Sequence, residues 1–181
     1  MEEHDMPSPT KIELSPEQLA EFAAFYEGDV NPLVGLLIRA GAARDEAQDF
    51  AQEAMRVALT NWPSIRSPKA FVRTVALRTL HRSWTVTRRD IDTGKRVAQD
   101  AMVATFDANE DVHEAVRLLQ ALPEAQRVAF ALHYDGYGHA EIAAITGQHP
   151  DTVRSNLRHA RQKLIRMLNR DSARKEAHHG P

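Results

Sequence analysis

The chain has no cysteine among its 181 residues, so no disulfide framework, thiolate metal site or cysteine nucleophile is available to it. Nowhere does it string together the ~18 to 20 apolar residues that a bilayer span requires. Its start, "MEEHDMPSPTKIEL", has neither the basic flank nor the apolar block of a secretory signal. These absences point to a cytoplasmic address without membrane insertion. Missing too are alternating β-branched runs, a nucleophile elbow, a glycine-rich phosphate loop and any internal repeat. The fold class is therefore all-α, and the chain does not read as an enzyme. Histidines 133, 139, 149 and 159 show no helical pair with a nearby carboxylate in zinc-site order, so neither a metal nor a cofactor is expected.

What the chain does have is charge in blocks. Its net charge is only -2, yet residues 1–60 carry 4 basic against 12 acidic side chains and residues 61–100 carry 9 against 3. Residues 101–135 return to 2 against 6, and residues 136–181 end with 8 against 4. Partners respond to local fields, so two basic surfaces alternating with two acidic ones allow polyanion binding on a chain that is acidic overall.

Helix punctuation divides the sequence. Ser15, Pro16 and Gln18 form a start signal with a capping hydroxyl, a proline at the first helical position and an amide at the third. Asn31 with Pro32 reads as the start of a second helix, stopping at Gly41. A third, over about residues 44–61, places Ala47, Ala51, Ala54, Ala58 and Trp62 on one face, with Asp49, Glu53 and Arg56 outward and Gln52 at the rim. Ser67 and Pro68 open a fourth, running to about Arg88, with Val72, Ala76, Leu80 and Trp84 on one side. On another side Arg78, Arg82 and Arg89 align with Thr85, a stripe able to track a phosphate backbone.

Weak periodicity after the fourth helix marks a flexible linker at 90–110 between domains at 15–89 and 111–168, with a frayed polar tail at 169–181. In the second domain Pro123 separates two helices, and glycines 136 and 138 end the latter. The stretch "EIAAITGQHPDTVRSNLRHARQKL" has helix-turn-helix grammar: Ile142, Ala143 and Ile145 inside a short helix, Gly147 at the turn, and Val153, Leu157, Ala160 and Leu164 as the inner stripe of a longer one. Its outer face presents Asp151, Thr152, Arg154, Ser155, Arg158, His159 and Gln162. Arginine can pair bidentately with guanine, and the smaller polar groups can hold phosphates or base edges. Arg161, Lys163 and Arg166 lie on the flanks, suited to phosphates.

Taken together, "AQDFAQEAMRVALTNW", "SPKAFVRTVALRTLHRSW", "LQALPEAQRVAFALHYDGY" and the helix-turn-helix stretch resemble the extracytoplasmic-function sigma factors, promoter-specificity subunits of bacterial RNA polymerase. The resemblance implies that Asp49, Gln52, Glu53 and Arg56 dock on the clamp helices of the β′ subunit of core polymerase. It implies that residues 61–69, with Arg66 and Lys69, and the following helix with Arg78, Arg82, Thr85 and Arg89, hold the melted non-template strand of the minus-ten element. Asp151, Thr152, Arg154, Ser155, Arg158, His159 and Arg161 would read the duplex minus-thirty-five element, the β flap would be a further contact, and an anti-sigma protein is a partner the family admits. Arg78 and Arg82 stand where the family often has asparagine and aspartate, and Gly138 replaces a frequent capping serine. The rival reading is a free-standing helix-turn-helix regulator, which would need a dimer to read paired half-sites. The chain offers no long apolar heptad for one.

Overall fold

The computed structural model describes residues 14–92 and 110–178. Every regular element among them is helical: α1 Pro16–Ala40, α2 Arg44–Asn61, a single 3-10 turn Trp62–Ser64, α3 Pro68–Asp92, α4 Glu110–Gln120, α5 Glu124–Tyr134, α6 His139–Thr146 and α7 Pro150–His178.

The start of α1 is built as its sequence dictates. The Ser15 hydroxyl accepts from the Gln18 amide at 3.2 Å, while the Gln18 side-chain oxygen accepts from the Ser15 amide at 3.0 Å, so two otherwise orphaned donors are satisfied reciprocally. The helix ends at Gly41, which adopts φ 111° and donates to the carbonyls of Leu37 and Ile38.

Asn31 and Pro32 do not begin a second helix: α1 runs through both without interruption. Phe22 and Asp29 before the proline, and Leu33, Leu36 and Leu37 after it, are all buried. Continuous tertiary burial along the whole helix outweighs the single backbone hydrogen bond that proline removes.

In α2 the residues Ala47, Ala51, Ala54 and Ala58 are all fully buried. A stripe of methyl groups lets α2 lie close against α1 and α3, whose Val72, Ala76 and Leu80 complete the same core. Trp62 closes one end of this bundle, edge-on to Phe22 at 5.1 Å and tilted against Phe25 at 5.3 Å.

In the second half, Ala131 and Leu132 of α5 pack with Ile142 of α6 and Val153 and Leu157 of α7, while Leu119 and Leu122 close over Ala160. The two halves are not separate cores, since α5 lies on α1 and α6 against α3, and buried residues of all five helices from α1 to α3 and α5 to α6 join one cluster with α7.

Helix α3 extends to Asp92, into the expected linker, whose residues from 93 to 109 lie outside the described ones. Helix α7 continues to His178, into the stretch expected as a polar tail; its arginine, lysine, glutamate and alanine residues are good helix formers and no glycine or proline intervenes before Gly180.

Gly41 is the sensitive point of the junction. Its φ of 111° disfavours any side chain, and a Cβ there would stand 2.6 Å from the Arg127 guanidinium of α5. Gly41→Ala is expected to destabilise the chain by about 1–3 kcal/mol, read as a fall in the midpoint of thermal unfolding; an unchanged midpoint would show that the junction yields freely.

Candidate nucleic-acid interface

The helix-turn-helix is assembled from local rules. At the N-terminus of α6 the Glu141 carboxylate accepts from the Gly138 amide at 2.8 Å, so half of a capping box survives although glycine has no hydroxyl to supply the other half. Gly147 takes φ 69°, the left-handed conformation that ends α6, and the Gln148 amide donates back to the Ala143 carbonyl at 3.1 Å. Pro150 then opens α7, and the Asp151 amide donates to His149 Nδ1 at 3.3 Å. Asn156 donates to the Gln148 side chain at 3.3 Å and fixes the turn to the helix that follows it.

Ile142, Val153, Leu157 and Ala160 are all buried. This leaves the other side of α7 outward: Asp151, Thr152, Arg154, Arg158 and His159 are exposed and Ser155 is half-buried. Arg154 forms an ion pair with Asp151, one turn before it on the same helix. An exposed pair of this kind contributes little stability, so its consequence is geometric, holding the guanidinium near the N-terminal end of the outer face. The face can offer a bidentate guanidinium to a guanine edge or a phosphate.

The flanking cations are engaged with the protein. Arg161 lies 2.7 Å from His133 Nε2, whose other ring nitrogen is 3.4 Å from the Tyr137 carbonyl, a pattern that fits the tautomer with the proton on Nδ1. Lys163 donates to the Ala121 carbonyl at 2.7 Å, at the end of α4.

In the first half, Asp49, Gln52 and Arg56 are exposed on α2 and Glu53 is half-exposed, all on the side away from the alanine stripe. Arg56 donates two hydrogen bonds to the Glu53 carboxylate, at 2.8 and 2.6 Å. These bonds are the main reason that the Glu53 carboxyl lies below its ordinary pKa and the Arg56 guanidinium above its own. Gln52 also edges a groove walled by Tyr26, Val30 and Val34 of α1.

Arg66 and Lys69 are exposed beside the 3-10 turn, and Arg78 and Arg82 are exposed on α3. Thr85 is half-buried and its hydroxyl donates to the His81 carbonyl at 2.9 Å. Arg89 belongs to α3, but its side chain lies outside the described residues.

Sequence reasoning missed a polar network between the halves. Arg73 of α3 is buried and donates to both carboxylate oxygens of Asp29 on α1, at 2.6 and 3.2 Å. Asp135, just after α5, pairs with Arg39 of α1 and faces Arg73 at 3.8 Å. Arg127 of α5 donates to the Ala40 carbonyl at 2.6 Å and its guanidinium lies 5.4 Å over the Trp84 ring; burial lowers its pKa. Tyr137 lies under Arg73 at 5.6 Å, and burial raises the pKa of its phenol. These pairs are separated by up to 96 positions, and no local spacing rule reaches so far. The signals within the sequence were charges on apolar helix faces: Arg73 beside Val72 and Ala76 on α3, and Asp29 in register with Phe22 and Leu33 on α1.

Among the described residues no cluster of metal-binding side chains forms and no helix is long and apolar enough to cross a membrane.

Residues 113–164 match the family model of sigma-70, region 4. No curated protein matches the chain. Among solved structures, the chain is similar to the sigma factor RpoE of Bartonella quintana, solved in complex with the anti-sigma factor NepR, at 22% identity and a TM-score of 0.72, covering 82% of this chain and 97% of that one. It is also similar to CnrH, solved with the cytosolic domain of CnrY, at 18% identity and a TM-score of 0.62, covering 84% and 90%. Residues 113–164 thus match sigma-70, region 4, on a fold similar over most of the chain to that of the sigma factor RpoE.

Proposed function

We propose that this chain is a transcription initiation factor that binds core RNA polymerase and directs it to promoters. In this reading the unit at 15–89 docks on the β′ clamp helices through Asp49, Gln52, Glu53 and Arg56 and captures the melted minus-ten strand with Arg66, Lys69, Arg78, Arg82, Thr85 and Arg89. The unit at 111–168 reads the minus-thirty-five duplex with the outer face of α7 and touches the β flap, and an anti-sigma protein is a regulator, as the partners of RpoE and CnrH suggest. The observation that carries the reading is the match of residues 113–164 to sigma-70 region 4, folded as a helix-turn-helix whose polar outer face is exposed.

The test is to add the purified chain to core polymerase and to ask for transcripts that depend on a promoter. Transcripts starting at defined sites support the reading, whereas duplex binding without polymerase-dependent initiation would favour a free-standing regulator.

The outer face makes its own prediction. Arg154→Ala and Arg158→Ala should each weaken upstream promoter binding by about 1–3 kcal/mol and relax preference at one position if the side chain reads a base. A titration against variant duplexes over a range of salt separates the roles: uniform weakening with a shallower salt slope would assign that arginine to phosphate.

A further inference from the structure

Where α5 ends, α6 begins and α7 passes, two histidines meet an arginine. His133 of α5 lies with its Nε2 2.7 Å from the Arg161 guanidinium of α7, and its ring stacks on that of His139, the first residue of α6, with centroids 6.3 Å apart. His133 is half-buried, and His139 and Arg161 are exposed. A guanidinium has donors only, so the contact with Arg161 requires a neutral His133 with a free acceptor at Nε2. A proton on that nitrogen removes the acceptor and sets an imidazolium against a guanidinium. The neighbouring carboxylates are turned to other partners. Asp135, two residues on, pairs with Arg39 of α1, which also lies 4.9 Å over the Tyr134 ring, and Glu141 of α6 accepts from the Gly138 amide. One turn before Arg161 on α7, Arg158 adds a further exposed cation.

We propose that His133 is a proton-operated clasp on Arg161. Neutral, it holds the guanidinium on the protein; protonated, it releases it, and both groups turn to the phosphate backbone of duplex DNA. The clasp stands on the contact geometry, and its consequence rests on the reading that α7 binds duplex. A phosphodiester offers only acceptor oxygens, so it takes up the two donors that repel each other in the free chain. Binding duplex at this edge of the helix-turn-helix therefore takes up a proton. By reciprocity, binding tightens as pH falls through the range where histidine ordinarily titrates, about pH 5 to 8.

The test has a DNA-free arm and a duplex arm, both on the full chain. Nitrogen-15 NMR of the neutral His133 ring should find its proton on Nδ1; a proton on Nε2 would mean that the Arg161 contact is absent and would overturn the clasp. In the second arm a fluorescent duplex of arbitrary sequence is titrated with salt at about pH 6 and pH 8, since backbone contacts carry no sequence information. The other histidines titrate alike in every variant, so each result is read against His133→Gln, which keeps an acceptor for Arg161 and takes no proton. Beyond that reference, acidification should steepen the slope of log affinity against log salt by roughly 1.8 in the wild-type chain, about 0.9 for each of two phosphates newly engaged. In Arg161→Ala, where His133 alone is left to engage, the increment should be about 0.9. Equal slopes in wild type and His133→Gln at both pH values would overturn the proposal. Equal increments in wild type and Arg161→Ala would show that His133 acts by its own charge and would overturn the release of Arg161. If the NMR arm holds but no variant binds duplex at either pH, the duplex reading of α7 fails, and the release of Arg161 toward DNA falls with it.

Discussion

The double substitution Asp49→Arg with Glu53→Arg is expected to abolish co-purification of this chain with core RNA polymerase. Both side chains stand on the outward side of α2, whose opposite face is locked in the core by Ala47, Ala51, Ala54, Met55 and Ala58. Reversing them therefore changes the surface and leaves the packing alone. Within the chain the change breaks the Glu53–Arg56 pair, and exposed pairs contribute little to stability. At a complementary interface the same change juxtaposes like charges, at a cost of about 2–5 kcal/mol per desolvated pair, or roughly 30-fold to several thousand-fold in affinity. Circular dichroism should show full helicity, and the variant should still bind duplex through α7. If polymerase is retained at the wild-type level, the docking role of α2 is wrong.

What the sequence made legible were the features set by short-range rules. The cap at Ser15, the alanine face of α2, the break at Pro123 and the turn at Gly147 each follow from chemistry within a few positions, and each stands where the spacing put it. The exposed residues of α2 and α7 were legible for the same reason: helical period separates Ala51 from Glu53, or Val153 from Arg154, without reference to the rest of the chain. Proline at position 32 misled because a local rule met a tertiary one. Burial of Leu33, Leu36 and Leu37 on the same line as Phe22 carries the helix through.

The contacts between halves were out of reach for a different reason. Asp135 stands directly before Gly136, and Arg39 lies in the last turn of α1, where a cation is favourable on local grounds alone, so neither position points to a distant partner. Only the docking of α5 on α1 brings them together. The candidate site is thus legible in its outward faces and illegible in the network that sets where those faces lie. That division is physical: exposure follows from one helix, whereas an ion pair between distant helices depends on the whole fold.

The basic stripe of α3 gives the last prediction. Val72, Ala76 and Leu80 are buried on one side of the helix, and Arg78 and Arg82, one turn apart, are exposed on the other. Neither lines the cleft that holds Arg66 and Lys69. In a polymerase assembled with Arg78→Ala and Arg82→Ala, initiation on ordinary duplex promoters is expected to fall by about tenfold or more. Strand capture must offset the cost of unpairing and unstacking, a few kcal/mol for an extruded base, and each tenfold fall in open complex corresponds to about 1.4 kcal/mol less binding free energy for the captured strand. If both arginines meet phosphates of the single strand, the slope of log affinity against log salt should also become shallower by roughly 0.7 for each. A template already mismatched over the minus-ten region removes the unpairing cost beforehand, so the same variant should recover most of its activity there, whereas Arg154→Ala and Arg158→Ala should not. Equal loss on duplex and pre-opened templates, or no loss on either, would make the stripe a solvated helix face and withdraw its role in melting.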